Sequence, residues 1–320
     1  MRVFVAGAAG AIGRQLLPQL VAQGHQVTAA TRNPAKAARL RELGAEPAVV
    51  DGLDAVAVGE AVARAEPDAV VHQMTALAGD TDMRHFDRMF AVTNRLRTQG
   101  TDHLLAAAAA AGARRFIAQS YTGWPNIREG GPVKTEDDPL DPDPPAAQRE
   151  SLAAIEYVER VVPAAPLQGI VLRYGAFYGP GASDSLVDLI RKRRLPIIGD
   201  GAGVWSFLHI SDAASATLAA LEHGRPGVYN VVDDEPARVT EWLPFLARAV
   251  GAKPPLRVPV WLGRLAAGEV AVSAMTRIRG SSNARAKREL GWQPAWPSWR
   301  EGFSRGLSGT VPARGAAARR

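Results

Sequence analysis

The 320-residue chain contains no cysteine, so disulfides, thiolate metal sites and cysteine nucleophiles are excluded. No apolar run is long enough to span a bilayer. The alanine stretch at residues 106–111 is only six residues long and only mildly hydrophobic. Gly7 follows the strand-like residues 3–6 too soon for a secretory apolar core, so the expectation is a cytoplasmic protein with no membrane partner. The six histidines show no H-x-x-x-H or similar spacing, and no metal site is expected. There is no internal repeat. The net charge of +6 is not a nucleic-acid signature. Arg305, Arg314, Arg319 and Arg320 lie in an acid-free terminal stretch, and without them the body carries +2. No basic stripe interleaved with aromatics is present, so nucleic acid is not an expected partner.

What is present is an alternation. Strand-like segments fall at residues 3–6, 27–30, 47–50, 68–72, 115–118 and 169–172. Helix-like segments fall between them at 12–23, 34–43, 56–65, 86–111 and 151–161. Short strands alternating with helices predict right-handed crossovers and a parallel sheet covered on both faces. Residues 124–145 are rich in proline, glycine and acids, too long for a plain connector, and predict a functional loop over the site. Beyond Gly175 the pattern becomes irregular and proline-rich, which predicts a smaller substrate lobe over 176–303. Residues 304–320 read as a disordered basic tail.

The first turn carries the strongest signal. Val3-Phe4-Val5-Ala6 runs into Gly7-Ala8-Ala9-Gly10-Ala11-Ile12-Gly13, three glycines spaced G-x-x-G-x-x-G between a strand and a helix. Gly7 permits a sharp turn, Gly10 lets a diphosphate approach the backbone, and Gly13 lets the helix pack closely on the strand. Free amides at the helix start then face the phosphate charge. This predicts a Rossmann-type, doubly wound α/β domain over 1–175 that binds a nicotinamide dinucleotide. At the end of the second strand an acid would hydrogen-bond the ribose hydroxyls and repel a 2′-phosphate. The chain has Thr31-Arg32-Asn33 there, and Arg32 can clamp a phosphate, so NADP is expected over NAD. Asp51 would meet the adenine edge or cap the next helix.

Together with Val70-Val71-His72, the segment Leu172-Arg173-Tyr174-Gly175-Ala176-Phe177-Tyr178-Gly179-Pro180-Gly181 and Phe207-Leu208-His209-Ile210-Ser211-Asp212, this turn resembles the extended short-chain dehydrogenase/reductase family of epimerases and dehydratases. The resemblance spans about residues 1–303. It implies a Rossmann domain with a C-terminal substrate lobe, and a return of residues 207–233 to the sheet. Gly7, Gly10, Ala11, Ile12, Gly13, Thr31, Arg32, Asp51, Gly52, Met74, Thr75 and Tyr174 are the expected cofactor contacts. Homodimers are common in that family, and a homodimer is an open expectation here.

The chain departs from the family where the chemistry is done. Family members carry a tyrosine and, four residues on, a lysine that lowers the tyrosine pKa for proton transfer. Gln148 and Leu152 stand in those positions. Tyr157 has Val161 four residues later, so a shifted register does not restore the pair. Tyr121, at the mouth of the fifth strand and helped by Ser120 or Thr122, is the replacement proton donor, or else a stacking group. Lys134 would restore an ammonium, or is a solvated loop side chain. His72 and His209 read as packed core residues, and the C-terminal tryptophans mainly as core anchors. Glu136, Asp137 and Asp138 read as a charged loop. The sequence therefore predicts an NADP(H)-dependent oxidoreductase moving hydride to or from a carbonyl or secondary alcohol of a small organic substrate. A redox-neutral epimerase, dehydratase or lyase and a cofactor-binding sensor without turnover are the rivals.

Overall fold

The apolar residues Val3, Phe4, Val5 and Ala6 fill the strand β1 (Arg2–Ala6), in which every residue after Arg2 is buried. Burial of successive side chains is what a strand covered on both faces requires. The computed structural model describes residues 1–77 and 82–307. From β1 the chain runs through α1 (Ala11–Ala22), β2 (Gln26–Thr31), α2 (Ala37–Glu42), β3 (Glu46–Val49), α3 (Ala55–Ala65) and β4 (Ala69–His72). It continues through α4 (Phe86–Arg95), α5 (Thr101–Ala110), β5 (Arg115–Tyr121), the short β6 (Val133–Lys134), α6 (Arg149–Val161) and β7 (Gln168–Tyr174). A turn of π-helix, Leu96–Gly100, joins α4 to α5. The helix expected over 86–111 is thus interrupted by a wider turn, a feature periodicity does not signal.

Beyond β7 lie β8 (Ala176–Tyr178), α7 (Asp184–Arg191), β9 (Ile197–Ile198), β10 (Val204–Trp205) and β11 (Phe207–His209). The chain then returns to the sheet. Helix α8 (Ile210–Glu222) packs on α1, and β12 (Gly227–Val231) pairs with β7. The finished sheet has seven parallel strands in the order β12-β7-β5-β4-β1-β2-β3. Val3 and Val5 face the layer of α1 and α8, while Phe4 and Ala6 face α3, α5 and α6. A second core holds Phe207, Trp242, Trp296, Trp299 and Phe303, with α9 (Val239–Ala249) and α10 (Val260–Thr276) packed about it.

Three expectations are corrected. Of the 124–145 loop, only Trp124 lines the site. Asn126 bonds the carbonyls of Arg279 and Gly280 and the Ser281 hydroxyl, and β6 pairs with Gly280–Ser281. Arg128 binds Asp141 at 2.7 Å, and the buried Lys134 reaches Asp138 at 3.4 Å, so Lys134 is neither solvated nor a site ammonium. Residues 304–307, expected to belong to a disordered tail, are instead placed in the fold. A helical turn covers Gly302–Gly306, because Phe303 is buried in the second core and the Gly306 carbonyl receives His209 Nε2 at 3.1 Å. Residues 308–320 lie outside the described residues.

A buried ion pair ties three core elements together. Arg173 on β7 meets Glu159 on α6 through two bonds of 2.7 and 2.6 Å, and Ser120 on β5 donates to the same carboxylate at 2.8 Å. Removing one partner of such a pair strands the other charge. Glu159→Gln is expected to destabilise the protein by about 3–5 kcal/mol, read as a lower midpoint in urea unfolding.

Candidate active site

The carboxyl ends of the parallel strands open into a cleft of about 870 Å³. Its floor is the first turn. Gly7 has φ +86°, and a Cβ there would sit 2.5 Å from the Gln73 carbonyl oxygen. A Cβ on Gly13 would sit 2.1 Å from the Ala8 carbonyl oxygen. Only glycine allows α1 to start this close to β1 and to the end of β4. Gly10 caps α1 without a side-chain bond, and no acid lies in the helix's first turn. Gly10, Ala11, Ile12 and Gly13 line the cleft, so an uncapped helix start faces it. That donor set fits a dinucleotide diphosphate.

One end of the cleft, where the adenosine was expected, lies over β2 and β3. Thr31, Arg32, Asp51 and Gly52 line it, as does Lys36, which sequence reasoning passed over. Among the described residues neither Arg32 nor Lys36 forms an ion pair. Asp51 accepts from the Leu53 amide at 3.0 Å, bracing the turn after β3.

At the other end, Met74 and Thr75 after β4 line the cleft with Gln119, Ser120 and Tyr121 of β5. Here the expected residues separate. Tyr174 does not reach the cleft. It is buried against α8, its hydroxyl 2.7 Å from Thr217 Oγ1 and receiving Gln73 Nε2 at 3.0 Å. Thr122 is also buried, bonded to Asn126 and Ser281 beneath the loop. Ser120 lines the cleft, but its hydroxyl is turned to Glu159. Side chains alternate along a strand, so Ser120 and Tyr121 cannot share a face.

Tyr121 remains. It packs beside Trp124, ring centroids 6.5 Å apart, and its hydroxyl has no hydrogen-bond partner among the described residues. Burial pushes this phenol up to about 12, with no cation beside it to bring it down. Gln148 is buried and lines the cleft. Leu152 is buried and is not among the residues that line it. Tyr157 binds Asp102 at 2.6 and 2.8 Å, outside the site.

The outer part of the cleft is apolar. Met83, Phe86, Met89, Phe90, Trp124 and Trp205 line it, with Val270, Ala274 and Ile278 from the lobe. Phe86 and Phe90 stack at 4.4 Å. Trp205 donates to the Ala274 carbonyl at 2.8 Å, which fixes its ring. The helical spacing of Phe86, Met89 and Phe90 is visible in the sequence, but which face they present is not. Arg97, on the π-turn, was also missed. It lines the cleft and is 7% exposed.

His72 and His209 are structural, as their strand positions suggest. His72 Nδ1 accepts from the Met74 amide at 3.2 Å, so Nε2–H donates to the Leu96 carbonyl at 3.1 Å. The ring thereby joins the β4 end to the π-turn. His209 is held by Ser211 and Gly306. Of the loop acids, Glu136 is not surface charge: it accepts from the Asn230 amide at 2.7 Å.

A seven-stranded parallel sheet with an uncapped glycine turn at its switch point defines a dinucleotide-binding enzyme. Residues 3–232 match the profile of the NAD dependent epimerase/dehydratase family, and the chain belongs to that family. It is 44% identical over 310 residues to a 3-diazoavenalumate denitrifying reductase of a Streptomyces species, covering 95% of this chain and 100% of that one. It is 31% identical over 270 residues to a 2-alkyl-3-oxoalkanoate reductase of Stenotrophomonas maltophilia, covering 79% and 76% of the two chains. In fold it is similar to a UDP-glucose 4-epimerase of Thermotoga maritima, with a TM-score of 0.74 at 23% identity over 96% and 97% of the chains.

Burial lowers the pKa of His72 to about 4. The unfolded chain, with histidine near about 6.5, then binds more protons than the folded one between those values. The contribution is complete above pH 6.5 and is lost as pH falls toward 4. Thermal melts should therefore report a loss of about 2 kcal/mol between pH 7 and pH 5, and His72→Asn should flatten that slope.

Proposed function

We propose that this chain is an NADPH-dependent reductase acting on a small, conjugated organic acceptor. The observation that carries this reading is the apolar, aromatic wall at the Tyr121 end of the cleft, where no lysine is among the described lining residues. Arg32 and Lys36, unpaired among the described residues beside a strand end that lacks an acid, support NADP over NAD.

When bound, the reduced nicotinamide supplies hydride. The chain's residues decide what else is available. The glycine turn and first-turn amides hold the diphosphate. His72 and Gln119 fix the Met74 backbone at the ring end, Gln119 Nε2 donating to the Met74 carbonyl at 3.3 Å. Met83, Phe86, Phe90, Trp124 and Trp205 offer flat, apolar contact and exclude water. A sugar nucleotide would find little to hydrogen-bond along that wall.

Reducing a carbonyl consumes a hydride and a proton. Replacing an aryl C–N2+ bond by C–H consumes a hydride alone, because dinitrogen leaves with the bonding pair. A site stripped of its acid pair suits the second reaction, and the Streptomyces relative's name describes a diazo substrate. The acceptor we favour is accordingly an aryl diazo compound. The carbonyl reading rests on Tyr121, whose free phenol is the one phenol among the described residues lining the cleft, and on the oxoalkanoate reductase relative.

With an o-diazophenol and NADPH, the expected result is loss of reduced-nicotinamide absorbance matched by released dinitrogen. Tyr121→Phe should leave that rate within about threefold. A fall of about 10²-fold or more, within the range for a lost general acid, together with turnover of a matched aryl ketone, would establish the carbonyl reading instead. Product formed with no net NADPH consumption would identify a redox-neutral enzyme, and tight binding without turnover a sensor. Arg32→Glu should weaken NADPH at least about tenfold, or about 1.4 kcal/mol, and leave NADH nearly unchanged.

A further inference from the structure

A guanidinium removed from water is costly unless a carboxylate or phosphate meets it. The other buried cations follow this rule: Arg173 is clasped by Glu159, and Lys134 reaches Asp138. Arg97 does not. Its Nε and Nη1 are buried and without a hydrogen-bond partner, and no acid among the described residues lies in ion-pair range. Its neighbour is the Phe90 ring, 5.8 Å from the guanidinium carbon. Glu159, the acid whose charge acts on Arg97, already accepts two bonds from Arg173 and one from Ser120. Burial lowers the Arg97 pKa only to about 10, so it stays charged at neutral pH.

The placement is specific. Arg97 sits on the π-turn Leu96–Gly100, whose Leu96 carbonyl is pinned by His72, and it lines the same cleft as Gly10, Gln119 and Tyr121. Inserted π-turns re-aim side chains and recur at functional sites. We propose that Arg97 is an anion receptor in the wall of the cleft, held to grip an oxyanion through its fork of N–H groups. The oxyanion is either a phosphate of the dinucleotide or a carboxylate of the substrate. Both present the two acceptor oxygens that a guanidinium matches. The proposal rests on reading this cleft as the cofactor and substrate site, and its tests are binding and melting, which need no turnover.

The experiment compares the full chain with Arg97→Met, using Arg97→Gln in parallel should the methionine variant fold poorly. Without ligand, either variant should melt at or above the parent temperature, since an uncompensated charge has been removed. Titration with NADPH, and of the NADPH-loaded protein with trans-cinnamate and its uncharged amide, separates the two sources. NADPH weakened tenfold or more assigns Arg97 to a cofactor phosphate. NADPH within twofold, with cinnamate weakened tenfold and the amide unaffected, assigns it to a substrate carboxylate. Two results would overturn the proposal. One is NADPH within twofold together with a parent that binds cinnamate no better than the amide, or a variant that binds cinnamate as the parent does. The other is both variants melting well below the parent without ligand, which would make Arg97 a structural prop.

Discussion

The approach of the first turn to its neighbouring backbones governs the rest of the molecule. At Gly7 and Gly13 there is no room for a Cβ, and the obstructing atoms are main-chain carbonyls that cannot step aside. Because these contacts bring α1 hard against β1 and the β4 end, the helix begins at the sheet's carboxyl edge with its first amides uncapped. The strand ends that follow, on β2, β4 and β5, then each contribute three or more residues to a single cleft. The floor of the cleft and its two ends are consequences of one packing constraint.

That constraint is local in sequence, which is why it was legible. Three glycines between a strand and a helix need no distant partner to be interpreted, and the short apolar strands after them repeat the same logic. The residues that needed tertiary information were harder to place. Tyr174 lies on a strand beside the cleft, yet its side chain points to α8, and the direction depends on register with β12. Thr122 follows Tyr121 by one residue, but the chain turns there and carries it beneath the 124–145 loop. Arg97 could not be read at all, because a π-turn shifts the helical face by an amount that a period of 3.6 residues does not anticipate. The loop itself misled because proline, glycine and acids mark an irregular path without saying what that path packs against.

The chemistry open to the site follows from the side chains that line it. Gln148 keeps a polar amide in the cleft but offers no titratable proton, and no lysine lines the cleft near Tyr121 among the described residues. Tyr121, approached from the strand and not from the helix, is a neutral phenol in apolar surroundings. Such a site can position an acceptor and exclude water while doing little acid–base work. Charge is concentrated instead at Arg32 and Lys36 at one end and Arg97 deeper in the cleft.

The late return of the chain to its own sheet bears on how the protein is made. The outer side of α1 is covered by α8, and β7 gains its second neighbour only from β12, so the sheet lacks an edge and a cover until residue 231 has been synthesised. A nascent chain stopping near β7 would expose the free edge of that strand beside an uncovered apolar helix, the kind of surface that chaperones hold and that aggregates nucleate on. The sheet formed by the first two hundred residues is incomplete without β12, however regular their repeating pattern.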